Sequence, residues 1–469
     1  MTVISKYLGH SVIIRTPEKT SLPRRERLLQ ILSHANRTTP FYKGKFDLFL
    51  NTSRTLSDDD FFYAFNHLPI ATKQDLRENN DAFVSEALKN RQDILSGGNT
   101  PGAIELLNSL FIKKDFCASI STGGSSGVPT YRWLDNHDAN IFAQSFLHSF
   151  KLNGWKPGEN FVVYYPLKSY FTGAYAEREK VLRRLFGFTM VPFETIDRES
   201  VENLLRTLKT HQATLLVIFP CVLQRVAEIM AAENIPPCEN LPCINVSGEF
   251  FLDCSKRFIQ TMFPDSDIQS TYGAVEFGEI AHQEGLSALE YKVFDDYVYM
   301  EQGPENTMLV TSLRQKAFPL IRYQIEDMGQ VSTAPDGSQK IVWLEGKNTD
   351  YIVGTDGYRY YASFFNALVN DINKSCGYPV IHFMLRIHTL ENQSVLQANF
   401  VLRDAQKAPY IENTMLEALS RYFSNFDTFE IRFLPHFEHD YTRKFKIIGE
   451  GDALAEVVGG YFQQQRAAS

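Results

Sequence analysis

The chain of 469 residues lacks a long apolar run, is poor in cysteine and tryptophan, and carries no surplus of basic charge. Its longest apolar stretch, Ala213 to Leu223, is interrupted by Pro220 and falls well short of the roughly 20 residues that span a bilayer. The opening MTVISKYLGHSVIIRTPEK holds too short an apolar core for a secretion signal. A cytoplasmic protein with no membrane span is expected. Lys and Arg number 47 against 55 Asp and Glu, a net charge of -8 with a pI near 5.8, which argues against phosphate-backbone binding and excludes nucleic acid as the expected partner. The six cysteines are scattered, as suits a reducing compartment. Cys238 and Cys243 lie close together, but no second pair or nearby histidine completes a zinc set, so no structural metal is expected there. Internal repeats, low-complexity tracts and coiled-coil heptads are also missing.

What is present is globular: 44% hydrophobic and 22% charged residues, in a chain too long for one ordinary core, so two or three domains are expected. Up to about residue 110 the sequence reads as helices and loops, with Leu22 to Ala35 apolar at helical spacing and no sheet evident. From residue 116, short β-branched or aromatic runs alternate with amphipathic stretches. Strands are predicted at Phe116 to Ile120, Phe161 to Tyr165, Phe188 to Val191, Thr214 to Phe219, Cys243 to Ser247 and Asp267 to Thr271. Helices are predicted around 139–150, 175–185, 198–210, 221–233 and 253–262. Such alternation predicts an α/β class, a mostly parallel sheet flanked by helices, with ligands at the carboxyl ends of its strands. Beyond about residue 347, strand runs at Tyr378 to His388, Val395 to Leu402 and Phe429 to Leu434 surround one helix, Ile411 to Phe423, which predicts a small α+β domain. The divisions are 1–110, a helical N-terminal segment of the large domain; 111–346, its α/β core; 347–354, a linker; and 355–469, the C-terminal domain.

Ser121 to Thr130, STGGSSGVPT, contains eight Gly, Ser or Thr residues in ten, directly behind a predicted strand. Glycine lets backbone amides turn toward an anion, and the hydroxyls add donors, so the loop suits nucleotide phosphates. It lacks the GK[ST] ending of a Walker loop. A flexible connector has the same composition. Four more segments can be read beside it. Ser247, Gly248 and Glu249 form a tight turn after a strand, against which a planar base could lie. Thr271, Tyr272 and Gly273 lead to Glu276, a carboxylate suited to a hard divalent cation. In Phe318 to Gly329, FPLIRYQIEDMG, the run Phe318 to Ile321 reads as a buried strand, and Arg322 to Asp327 as the turn leaving it, which places Asp327 to accept both hydroxyls of a ribose. The fourth segment is the basic TRKFK, 442–446. Taken singly, each has a structural reading: a plain turn, a solvated ion pair, an exposed strand edge.

In order and spacing together they resemble the adenylate-forming superfamily, specifically its phenylacetate-CoA ligase and CapK-like branch, over nearly the whole chain. Arg24 to Asp47 and Leu68 to Asn79 look like that branch's N-terminal segments, STGGSSGVPT its phosphate loop, and Gly154-Trp155-Lys156-Pro157-Gly158 its Gly-Trp-x-Pro-Gly turn. YGAVE at 272–276 matches Tyr-Gly-x-x-Glu, PLIRY at 319–323 matches Pro-Leu-Ile-Arg-Tyr, EGKNTDYI resembles Gly-Arg-x-x-Asp-x-Ile, and TRKFKII resembles Gly-Lys-Phe-Arg.

The resemblance implies an acyl-adenylate-forming fold with a mobile C-terminal domain. It implies an AMP-forming acid–thiol ligase using ATP, Mg2+ and coenzyme A. Ser121, Thr122, Gly123, Gly124, Ser125, Ser126 and Gly127 would hold the ATP phosphates, and Ser247, Gly248 and Glu249 would flank the adenine. Thr271, Tyr272 and Gly273 would lie beside it, Tyr272 stacking near the base. Glu276 would help bind Mg2+, Asp327 the ribose, and Lys347 would face the ribose or phosphates from the linker. Lys444 would enter the site during adenylation. For the acid, Tyr165, Tyr170, Phe171, Thr172 and Gly173 follow a strand on the expected side, and such aromatic walls favour a flat hydrophobic acid. The partners implied are a small carboxylic acid and coenzyme A, with an acyl carrier protein or an amine as rival acceptors and a homodimer left open. A rival of another class is a nucleotide-binding protein without turnover. Departures from the branch are Lys347 in place of Arg, Thr349 where Asp is common, Val128 in place of Lys, and no cysteine cluster before the linker. They bear more on the thioester step than on adenylation.

Overall fold

The computed structural model describes residues 2–7, 10–15, 22–89, 117–121, 131–166, 187–283, 289–441 and 444–451. An antiparallel hairpin of β1 (Thr2–Tyr7) and β2 (His10–Arg15) opens the chain, with Thr2 opposite Arg15. This differs from the sheet-free N-terminus expected above: two alternating, β-branched runs separated by Leu8-Gly9 in the sequence are a hairpin pattern. Helix Arg24–Thr38 follows, burying Leu28, Ile31, Leu32 and Ala35 at the helical spacing of its apolar stripe.

Among the described residues the main sheet has eleven strands, in the order β12-β13-β14-β15-β11-β10-β9-β8-β7-β5-β6. Its parallel half comprises β5 (Phe161–Pro166), β6 (Phe188–Phe193), β7 (Leu215–Ile218), β8 (Cys243–Ser247) and β9 (Asp267–Ala274). Their connections include helices Arg198–Thr210, Pro220–Ala232 and Asp253–Met262. β7 is buried at every position, as a strand covered on both faces must be. The antiparallel half comprises β10 (Gly278–Gln283), β11 (Tyr291–Val293), β12 (Val298–Gln302), β13 (Thr307–Ser312), β14 (Tyr323–Thr333) and β15 (Gln339–Lys347). The N-terminal helices pack against this half in one apolar cluster. β3 (Cys117–Ser121) and β4 (Tyr131–Asp135), on either side of the glycine-rich segment in the sequence, form a separate antiparallel pair.

The C-terminal unit begins with the hairpin of β16 (Tyr351–Val353) and β17 (Arg359–Tyr361). Helices Ala362–Cys376 and Ala408–Tyr422 then pack on a sheet ordered β20-β19-β18-β21, of β18 (Val380–Leu390), β19 (Gln393–Leu402), β20 (Thr428–Leu434) and β21 (Ile448–Glu450). It docks on the parallel half, where Phe437, Tyr441 and Phe445 join the cluster formed by helix Pro220–Ala232.

The segment around Asp327 departs from the strand-then-turn order that its apolar pattern predicts. Phe318 to Ile321 is deeply buried but is not a strand, and Asp327 lies inside β14 rather than in a turn leaving one. Pro319 has no N–H to give to a ladder. Other amides of this stretch find side-chain acceptors instead: the buried Asp138 accepts from Lys316 N (2.7 Å), Ala317 N (2.9 Å) and Phe318 N (3.3 Å), and Tyr42 Oη accepts from Ile321 N (3.0 Å).

Candidate active site

The site is assembled from strand ends and one loop of the small domain. β8 ends at Ser247, and the chain turns through Gly248 at φ +90°, a conformation that costs glycine little. The next strand, β9, carries Thr271, Tyr272 and Gly273. Thr271 is buried, and its hydroxyl accepts from Asn245 Nδ2 at 2.8 Å, which ties β9 to β8 and leaves this side chain a structural task. Tyr272 donates its hydroxyl to Asp327 Oδ2 at 2.7 Å, so the tyrosine and the expected ribose ligand meet although β9 and β14 are not neighbours in the sheet order. Burial, then the Asp327 carboxylate, holds the Tyr272 phenol well above its ordinary value.

Lys347 stands directly across the β14–β15 ladder from Asp327. The neighbouring Glu326 pairs with Lys73, and Ala71 bridges in parallel to Tyr323. The LPIATKQDLREN segment is thereby stitched to the strand that carries Asp327. Arg322 is engaged elsewhere, with its Nε 3.0 Å from Glu301 Oε1, and takes no part in holding Asp327.

Glu276 occupies the turn between β9 and β10 and is only 8% exposed. Burial pushes its carboxyl up, opposed by Lys73, while Asp327 pushes the same way as burial. Among the described residues no side chain hydrogen-bonds to it. A buried carboxyl without a side-chain partner, near a second carboxylate, fits the oxygen donor set of a hard cation.

Lys444 arrives from the small domain with its side chain exposed to solvent, yet with enough protein around it to desolvate the ammonium. Its ammonium is shifted below the ordinary lysine value first by desolvation and then by Lys347, against Asp327, Glu249 and Glu276, which favour the charge. Tyr165 is half-buried at the end of β5 with its ring 4.8 Å from Phe219, and its hydroxyl is raised by burial and then by Glu279 and Glu249.

Two residues of the site escape a reading of the sequence alone. Glu279 in β10 is 3% exposed, sits over Gly273, and among the described residues its Oε2 has no hydrogen-bond partner. A Cβ on Gly273 would come within 2.6 Å of that oxygen, so this position requires glycine. Burial lifts the Glu279 carboxyl to about 8, with Lys444 opposing. The signal available is its place three residues after Glu276 in YGAVEFGE. Arg132, buried in β4 just beyond the glycine-rich segment, donates to Val275 O at 3.3 Å; burial lowers its guanidinium to about 10, against Asp138 and Glu276, which favour the charge. Thr122, Gly123, Gly124, Ser125, Ser126 and Gly127 lie outside the described residues, as do Tyr170, Phe171, Thr172 and Gly173. Ser121 is the last residue of β3.

The proton on Glu279 makes a testable prediction. Its folded pKa of about 8 exceeds the unfolded 4.5, so the native state keeps a proton that the unfolded chain releases between those values. Its contribution to stability is complete below the unfolded pKa and is lost as pH rises through about 8. Glu279→Gln removes this dependence. The melting temperature of the variant minus that of wild type should therefore grow from about pH 5 to about pH 8; a constant difference would show that Glu279 titrates normally.

No protein-family model and no curated protein matches the chain. Among solved structures, 2-hydroxyisobutyryl-CoA ligase in the postadenylation state, in complex with R3-HIB-AMP, is similar at 16% identity and TM-score 0.62, over 94% of this chain and 91% of that one. The chain has the acyl-adenylate-forming fold. The complex of the same ligase with 2-HIB-AMP gives TM-score 0.61, again at 16% identity over 94% and 91% of the two chains. In the thioesterification state with 2-HIB-AMP and CoA it gives 0.50, at 17% identity over 97% and 94%. Within the acyl-adenylate-forming fold, the described site joins the large sheet to the loop that carries Lys444.

Proposed function

We propose that the protein is an ATP-dependent carboxylic acid ligase that forms an acyl adenylate and passes the acyl group to the thiol of coenzyme A. The observation that carries this reading is that Lys444, from the small domain, lies within electrostatic reach of Asp327, Glu276 and Lys347 of the large one, with Asp327 and Lys347 paired across one ladder. A carboxylate attacking the α-phosphate brings two anions together, so charge must be screened and an in-line geometry held. The substrate oxygen bonds to the α-phosphorus as pyrophosphate leaves, and in the second half-reaction a thiol attacks the acyl carbon as AMP leaves.

Asp327 would receive the ribose hydroxyls, with the Tyr272 hydroxyl fixing its orientation. Lys347 and Lys444 would face the phosphates that Ser121 to Gly127 cradle. Glu276 would hold Mg2+, which when bound screens charge between the two reacting anions. Glu279, its carboxyl raised to about 8 by burial, would add little charge of its own beside Lys444 at neutral pH. Tyr165 would border the acid, with Tyr170 to Gly173, and a flat hydrophobic acid remains the favoured class.

The better superposition on the postadenylation form than on the thioesterification form supports an arrangement with Lys444 turned inward. Residues 347–354 would serve as the hinge for the change between half-reactions. The relatives' complexes with acyl-AMP and with CoA support the acceptor.

ATP–pyrophosphate exchange over a panel of aryl and alkyl acids tests the first half-reaction whatever the acceptor, and at least one acid should support exchange. With that acid, coenzyme A should yield acyl-CoA by mass. Exchange without acyl-CoA, but with transfer to a holo carrier protein, would overturn the choice of acceptor and leave adenylation standing.

A further inference from the structure

Glu249 is expected beside the adenine, yet its carboxylate is committed to protein on both sides of the domain interface. Oε2 accepts from Cys221 N at 3.1 Å, Oε1 accepts from the Cys221 thiol at 3.3 Å, and Oε1 also accepts from Phe445 N at 2.7 Å. The first two donors belong to the N-terminal turn of helix Pro220–Ala232 in the large domain, whose free amides and dipole attract a carboxylate. The third is the amide that immediately follows Lys444. One carboxylate thus ties a helix start to the peptide carrying the expected catalytic lysine, and the short bond to Phe445 is a charge-assisted one.

The surroundings keep this amide in register. The Phe445 ring lies 4.7 Å from that of His382 and 6.1 Å from that of Phe437, and both Phe437 and Phe445 belong to the apolar cluster where the small domain meets the helix. On the far side Lys446 Nζ reaches Asp350 Oδ1, in the linker, at 3.2 Å. Lys444 is held between these anchors, and its ammonium feels the charges of Lys347, Asp327, Glu249 and Glu276.

We propose that Glu249 is a positioning residue that docks the Lys444 segment onto the large domain, so that it serves adenylation and must let go for thiol acylation. This rests on the ligase reading for its kinetic consequence but not for its structural one. Helix Pro220–Ala232 and Glu249 belong to the large domain, whereas Phe445 moves with the small one. Rotation about 347–354 therefore breaks only the Phe445 bond and leaves Glu249 capping the helix. A carboxylate that keeps two of its three donors in either state is a low-cost latch, because releasing Lys444 does not strand a buried charge.

The experiment compares wild type with Glu249→Ala and with the milder Glu249→Gln, which keeps the size and one acceptor oxygen, after thermal melting has shown which variants fold. Hydrogen exchange by mass spectrometry on the 444–451 peptide is read without substrates. Exchange there should quicken at least about tenfold in Glu249→Ala and less in Glu249→Gln, with peptides of the main sheet unchanged. In pyrophosphate exchange the maximal rate should fall at least about tenfold while the KM for ATP stays within about twofold, and thiol acylation from presynthesised acyl adenylate should be unchanged or faster. A raised KM for ATP with unaltered hydrogen exchange at 444–451 would overturn the proposal in favour of an adenine contact. Equal loss in both half-reactions would overturn it as well, as general damage. If wild type supports no pyrophosphate exchange with any acid, the ligase reading fails, and the hydrogen-exchange comparison alone decides whether Glu249 latches the segment.

Discussion

Replacing Lys444 with alanine is expected to lower the rate of acyl-adenylate formation on the order of a hundredfold or more, the usual cost of removing one preorganised electrostatic contact at a charge-dense transition state. Such a loss corresponds to about 2.7 kcal/mol. Thiol acylation from presynthesised acyl adenylate should survive largely intact, because only the first half-reaction brings two anions together. The ammonium feels Lys347 against it, and Asp327, Glu249 and Glu276 in favour of its charge. Lys446, by contrast, is engaged with Asp350. Lys446→Ala should therefore be mild for adenylation. Pyrophosphate exchange for the two variants checks the assignment, and a large loss at Lys446 with a small one at Lys444 would shift the register of the TRKFK motif.

Asp327→Ala should weaken ATP and AMP binding at least about tenfold, equivalent to about 1.4 kcal/mol. A carboxylate that accepts two ribose hydroxyls makes charge-assisted bonds worth roughly 1.5 to 3 kcal/mol each. Without ligand the melting temperature should fall only by the cost of the lost Tyr272 hydrogen bond, since Asp327 is only half-buried and Arg322, the nearby candidate for a structural ion pair, is bonded to Glu301 instead. Within the apo protein the substitution removes the hydrogen bond that the Tyr272 hydroxyl donates, so Tyr272→Phe serves as the companion variant. It should weaken nucleotide binding less than Asp327→Ala if the ribose reading holds. Calorimetric titration with AMP, beside a thermal melt of each apo protein, reads both quantities. Lowered stability with unaltered nucleotide affinity would make Asp327 structural.

Much of the architecture is legible in short-range patterns. Cys243 to Ser247 is a strand with the bounds its sequence predicts, and the helices at 198–210 and 253–262 match in both position and extent. These elements announce themselves through apolar periodicity and end signals such as Asp197, which caps its helix by accepting from Ser200 N. Phe318 to Ile321 misleads because an apolar run looks the same whether its amides pair with a strand or with Asp138 and Tyr42. The N-terminal hairpin is missed when the helical character of the segment after residue 22 is carried back to residue 1.

The sequence by itself determined the α/β and α+β units and the segments in which carboxylates, glycines and a lysine follow strand ends. Only the tertiary structure decided how those groups meet. Tyr272 reaches Asp327 although their strands are not neighbours in the sheet, Lys347 faces Asp327 because β15 returns beside β14, and Glu249 bonds Phe445 because the small domain docks there. Burial, which no local pattern states, is also what gives Glu279 its proton and, among the described residues, leaves Glu276 without a side-chain partner. Hydrogen-bond partners and desolvation are set by residues far apart in the chain, 196 positions in the case of Glu249 and Phe445, so their consequences for charge exist only once the fold has formed.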